Sequence, residues 1–113
     1  SLDDQVVTPD YREYVHYLRG RLAKAEAGLA TMNDRYERAR THFNQTQARR
    51  GITPETDVVN YTELKSTNPE LKFWYSKVEH FQRELAAYGT ALTGLEAAHR
   101  MLGPNDNWMS EAD

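Results

Sequence analysis

Apolar residues recur along two stretches of the chain, residues 11–46 and 71–102, at alternating steps of four and three positions. A mean step of about 3.5 residues places them in one continuous stripe on a single face of a helix, as in the contact seam of a coiled coil. Polar residues occupy most of the remaining positions. The pattern therefore predicts two long amphipathic helices, over residues 9–50 and 69–102.

Residues that start and stop helices flank both stretches. Thr8, Pro9 and Asp10 supply a capping hydroxyl, a proline with a helical φ and an acid at the positive end of the helix dipole. Gly51 is suited to the left-handed conformation that follows a helix. Asn68, which precedes a proline, repeats the start signal for the second helix. The Gly-Pro pair at residues 103–104 is the stop signal of the second helix. Both predicted helices therefore have a defined beginning and a defined end.

Residues 51–68 form the predicted connector. Its Val-Val-Asn-Tyr string, residues 58–61, favours extended backbone, and residues 62–65 can add a helical turn. We expect the connector to fold back over the end of the helices. There it would bury the side chains of Val58, Tyr61 and Leu64 on aromatic residues.

A connector of this length is too short to return along a helix of about 50 Å, so the two helices must run antiparallel. We predict an all-α fold: a long antiparallel two-helix coiled-coil hairpin, forming one domain over residues 1–113 with a mobile tail at 103–113. In this hairpin we expect Gly28 to lie beside Gly89 or its neighbours, where the lack of side chains lets two backbones approach closely; the alternative is that these glycines are flexible, exposed positions.

A single hairpin leaves apolar side chains uncovered. Three consecutive aromatic residues, 73–75, point about 100° apart on a helix, so one partner helix cannot cover all of them. We predict self-association into a helical bundle or ring; the alternative is that the connector and tail cover these residues in a monomer. The predicted interface with a second copy or another protein comprises Tyr14, Tyr17, Phe73, Trp74, Tyr75, His99 and Trp108.

The composition excludes several kinds of chemical site and bears on the cellular compartment of the protein. The chain has 113 residues, a net charge of −3 and no cysteine, which excludes disulfides, thiolate metal sites and cysteine nucleophiles. No run approaches the roughly 20 apolar residues that cross a bilayer, and residues 1–4 do not resemble a signal peptide. We expect a cytoplasmic protein, in the host cytoplasm if it is viral, with no membrane partner.

Two Glu-x-x-His pairs have the spacing that di-iron carboxylate bundles use for metal ligands. The heptad phase places Glu13 and His16 on the outer face, whereas His99 is on the seam and Glu96 flanks it. A ferritin-like metal-binding bundle is therefore a remote alternative. His99 is better explained as a polar seam residue that selects register or oligomeric state. We predict no enzyme activity, no metal, no cofactor and no small-molecule substrate.

The first helix is the positively charged element. Residues 9–50 hold nine Lys and Arg against five Asp and Glu. In an oligomer this charge would be repeated by every subunit and would attract nucleic acid; the alternative is an ordinary solvated helix face. The candidate DNA-binding residues are Arg35, Arg38, Arg40, Arg49 and Arg50.

Two short strings resemble the small subunit of phage terminases. They are Asn-Pro-Glu-Leu at residues 68–71, where the second helix begins, and Leu-Ala-Ala-Tyr-Gly at residues 85–89. The resemblance implies a non-enzymatic ring that recognises viral duplex DNA and presents it to a separate motor ATPase. Our first hypothesis is therefore a self-associating, coiled-coil DNA-packaging adaptor. The second is a structural scaffold that binds another helical protein without nucleic acid.

Overall fold

The computed structural model describes residues 10–102, which form three helices and no strand. Helix α1 is Tyr11–Arg49, α2 is Val58–Thr67 and α3 is Pro69–Leu102. The two long helices pack against each other, so the all-α prediction is confirmed. The coiled-coil hairpin, the single domain and the assembly into a bundle or ring stay predictions. The predicted tail, residues 103–113, lies outside the described residues.

Helix α1 has a defined cap at each end. At its start, Asp10 accepts a hydrogen bond from the backbone N–H of Arg12 at 2.9 Å, which satisfies a donor that has no partner within the helix. Thr8 and Pro9 lie outside the described residues. At its end, Gly51 has a φ of +76°, as predicted. The N–H of Gly51 donates to Ala48 and that of Ile52 to Gln47, both at 2.9 Å, which is the Schellman pattern.

The connector contains a helix where extended backbone was predicted. Asp57 begins α2: its carboxylate accepts from the N–H of Asn60 at 3.4 Å and its carbonyl accepts from Tyr61 at 3.0 Å. This cap outweighs the extended preference of the two valines, so the prediction for residues 58–61 is wrong. Asn68 then caps α3, accepting from the N–H of Leu71 at 2.9 Å, as predicted.

The chain divides into two compact units, of which unit 2 is residues 26–83. Its core brings together side chains of all three helices: Ala39 and Phe43 of α1, Tyr61 of α2 and Leu71 of α3. The Tyr61 hydroxyl donates to the Asn44 side chain at 2.6 Å, and its ring lies 5.7 Å from that of Phe43. The predicted burial of Tyr61 is therefore confirmed.

The other two connector residues have different outcomes. Leu64 is partly buried and packs against the same core, as expected. Val58 is 58% exposed, so its predicted burial is wrong. Val58 is the first residue of α2, and the core contacts of this helix come from the later residues Tyr61 and Leu64.

Contacts within unit 2 pair rising residue numbers in α1 with falling numbers in α3. Gly28 lies against Phe81, and the ring of Tyr36 lies 5.7 Å from that of Tyr75. The two segments are therefore antiparallel here. The predicted pairing of Gly28 with Gly89 is wrong, because α2 packs on the last turns of α1 and α3 begins its pairing further back along α1. A Cβ at Gly89 would meet nothing within 4 Å.

Unit 1 contains residues 10–25 and 84–102 of the described chain. Val15 is completely buried and packs against Leu92 and Leu95. Arg21 donates from Nε to the Tyr88 hydroxyl at 3.1 Å. Within residues 10–102, no helix has the length and apolar character that a membrane span requires.

Candidate interaction surfaces

The three consecutive aromatic residues of α3 face different surroundings in unit 2. Trp74 packs inward against the core, whereas Phe73 is 47% exposed and Tyr75 is 50% exposed. Because residues two positions apart on a helix point in nearly opposite directions, the two exposed rings lie on different sides of α3. Phe73 stacks on Trp74 at 4.8 Å, and Lys77 lies 5.3 Å above the Phe73 ring.

A basic face lies on the side of unit 2 that contains Trp74. It is defined by Arg35, Arg38 and His42 of α1 together with Trp74, and Glu70 also lines it. The Arg35 guanidinium lies 5.9 Å from the centre of the Trp74 ring, a cation–π distance. All three α1 side chains are exposed. The face therefore combines cations with an aromatic surface.

Only part of the predicted arginine set shares this face. Arg49 follows His42 at a step of seven, so it lies on the same side of α1, of which it is the last residue. Arg40 points elsewhere and pairs with Glu37 at 2.7 Å. Arg50 follows the last residue of α1 and donates to Gln47 at 3.0 Å. The structure therefore groups Arg35 and Arg38 beside Trp74 and places Arg49 on the same side of α1, further along the helix.

Acidic neighbours partly neutralise the basic face. Arg38 pairs with Asp34 at 3.0 Å, and both side chains are more than half exposed. An exposed pair of this kind contributes only about 0.2–1 kcal/mol. A phosphate group that approaches Arg38 therefore competes with a weak partner.

Unit 1 carries a second group of exposed aromatic side chains. Tyr14 and Tyr17 stack with their ring centres 6.2 Å apart, and Tyr17 meets Tyr88 edge to face at 6.4 Å. The hydrogen bond to Tyr88 and the nearby carboxylate of Glu84 raise the pKa of Arg21, which keeps its charge beside these rings. The tyrosines form a continuous aromatic surface. Trp108, which was predicted to belong to this interface, lies outside the described residues.

The Glu-x-x-His pairs do not form a ligand set. Glu13 and His16 are exposed, as their heptad phase predicted, whereas Glu96 and His99 are half-buried. Among residues 10–102, no three side chains of the types His, Cys, Asp and Glu come close enough to hold one metal ion. A metal centre in this part of the chain would need ligands from elsewhere.

One surface of unit 2 was missed by the sequence reasoning. A groove between the three helices is lined by Tyr36, Thr62, Lys65, Ser66, Leu71, Lys72 and Tyr75. Three of these residues belong to α2, for which the sequence indicated at most one helical turn, over residues 62–65. Asp57, a residue type favoured at helix N-caps, was the sequence signal that pointed to α2.

Comparison with known proteins identifies no relative of this chain. The chain matches no protein-family model, no curated protein and no solved structure. The resemblance to the small subunit of phage terminases therefore stays a prediction.

Proposed function

We propose that this chain is a non-enzymatic helical interaction protein that self-associates through its uncovered aromatic side chains. The supporting observation is the exposure of about half of the Phe73 and Tyr75 rings on helices that are otherwise amphipathic. Exposed large apolar side chains are typical of protein interfaces, and unit 1 separately exposes Tyr14 and Tyr17. Aromatic residues also contribute most of the binding energy in many interfaces.

The DNA-binding part of the proposal depends on the basic face. Three arginines and a histidine occupy one side of α1, and a second copy would repeat them on the same assembly. Phosphate contacts of this kind give affinity without sequence recognition. The proposed role is a DNA-packaging adaptor in the host cytoplasm, which holds duplex DNA for a motor ATPase.

A DNA-binding assay at several salt concentrations tests this part. Wild-type protein should bind duplex DNA, and its affinity should fall with salt because counterions are released. The double variant Arg35→Ala with Arg38→Ala should lower the salt slope by about 0.9 for each lost phosphate contact. The matched control is Lys24→Ala with Arg83→Ala, which removes two exposed cations outside the basic face. Equal losses in both double variants, or no binding at low salt, would contradict the DNA role.

A structural scaffold that binds another helical protein without nucleic acid is the second candidate. It is favoured by the acidic partners of the arginines: Asp34 beside Arg38, Glu37 beside Arg40, and Glu70 on the basic face. On this alternative the arginines are a neutralised helix surface. Absence of DNA binding together with an intact oligomer would support it.

Sedimentation velocity at several protein concentrations tests self-association itself. A species heavier than the 13.1 kDa chain at tens of micromolar supports the proposal. A single monomeric species across that concentration range contradicts self-association. The protein could then act only through contacts with a different protein.

A further inference from the structure

The groove of unit 2 combines an apolar floor with a cationic rim. Its floor is Leu71, which is 3% exposed, beside the rings of Tyr36 and Tyr75, which meet at 54°. Its volume is about 340 Å³, within the range of roughly 300–1,000 Å³ that is typical of ligand-binding pockets. The space is sufficient for one large side chain and its neighbours.

The rim of this groove favours an anionic occupant. It includes two lysines, Lys65 and Lys72, and two hydroxyl-bearing residues, Thr62 and Ser66. None of the described residues that line it is acidic. The Lys65 ammonium lies 6.0 Å from the centre of the Tyr61 ring. An aromatic side chain flanked by carboxylates matches both parts of the groove, because the ring replaces water on the floor and the carboxylates meet the ammonium groups.

One segment of this chain has that chemistry. Residues 105–113 carry three acids and no Lys or Arg, and they place Trp108 and Met109 between Asp106 and Glu111. We propose that the groove of one copy binds residues 105–113 of a second copy, with Trp108 on the tyrosine floor. This inference rests on the proposed self-association and names one of its contacts. The contact joins different surfaces of the two copies, so it is a head-to-tail contact that can build a ring.

Mixing two complementary variants tests the contact by NMR. The Trp108→Ala chain, labelled with ¹⁵N, keeps the groove but lacks the proposed anchor. An unlabelled chain with Lys65→Glu and Lys72→Glu keeps the anchor but lacks the cationic rim. Adding the second chain to the first should shift the amide signals of groove residues in a saturable way, and added salt should reverse the shifts.

Two controls make the result specific. An unlabelled titrant that also carries Trp108→Ala should produce no groove shifts. Introducing Lys72→Glu into the labelled chain should weaken the apparent affinity about tenfold, since an attractive pair becomes repulsive, whereas Arg83→Glu should leave it unchanged. No shifts from the chain that retains Trp108, or equal shifts from the chain that lacks it, would overturn the proposal.

Binding of the segment within its own chain is a separate outcome. It would appear as groove signals that differ between wild type and Trp108→Ala at every dilution and that do not respond to mixing. This outcome would overturn the contact between copies.

Failure of this inference is distinguishable from failure of the proposed function. A Trp108→Ala protein that remains oligomeric, with no groove shifts on mixing, would overturn the groove contact and support self-association through the exposed aromatic rings. A wild-type protein that is monomeric at tens of micromolar would instead overturn the proposed self-association.

Discussion

Replacing Gly28 with alanine should destabilise the protein, although the same change in a helix interior usually stabilises. A Cβ added at Gly28 would lie 2.6 Å from Cζ and 2.8 Å from Cδ1 of Phe81. Alanine gains about 1 kcal/mol over glycine in a helix interior. Forcing an extra carbon into a packed site costs about 1–3 kcal/mol. The second effect outweighs the first, because the Phe81 ring must move from its place between the helices.

Gly20 provides a matched control on the same helix. A Cβ there would meet nothing within 4 Å, so Gly20→Ala should raise the free energy of unfolding by about 1 kcal/mol. Urea denaturation followed by circular dichroism measures both variants. We expect Gly28→Ala to be at least about 1 kcal/mol less stable than Gly20→Ala.

A double-mutant cycle identifies the cause. Phe81→Leu removes the ring atoms that the new Cβ would meet, so the cost of Gly28→Ala should shrink in that background. The coupling energy should fall within about 0.5–3 kcal/mol, as for residues in contact. Equal stabilisation by Gly28→Ala and Gly20→Ala, or a coupling of zero, would refute the close approach of the two helices at Gly28.

Three further changes test the caps and the packing of α2. Tyr61→Phe removes the hydrogen bond to Asn44 and should cost about 0.5–1.5 kcal/mol in urea denaturation, with faster amide exchange in α2; unchanged exchange would contradict the docking of α2. Gly51→Ala places a Cβ at a φ of +76° and should cost about 1–2 kcal/mol, less for Gly51→Asn. Hydrogen bonds from the N–H and guanidinium of Arg12 lower the pKa of Asp10 below 3.8. The capping contribution of Asp10 to stability is therefore fully present above pH 3.8 and is lost as the pH falls through the lowered pKa. An NMR titration of Asp10 with a midpoint at or above pH 3.8 would contradict this.

The sequence predicted the elements whose signals are local. The end of α1 depended on Gly51 and the start of α3 on Asn68, because each residue caps its helix through its own backbone or side chain. The outward position of Glu13 and His16 followed from periodicity alone, since a helix fixes the direction of each side chain relative to its neighbours.

The features that depend on tertiary packing were not predictable in the same way. The helical form of α2 is stabilised by the burial of Tyr61 on Phe43. This contact is not visible in the sequence, where the β-propensity of Val58 and Val59 favours extended backbone instead. An error in the connector shifted the register between the long helices, so Phe81 rather than Gly89 was found opposite Gly28. The groove was missed for the same reason.

Light scattering on wild type and on the double variant Phe73→Ser with Tyr75→Ser tests the central claim most directly. We expect an oligomer of wild type at tens of micromolar and dissociation toward the 13.1 kDa monomer in the variant, with helix content unchanged by circular dichroism. The control Ser76→Ala changes an exposed neighbour and should leave the mass unaltered. A wild-type protein that is monomeric, or a variant that keeps the wild-type mass, would contradict self-association through these rings.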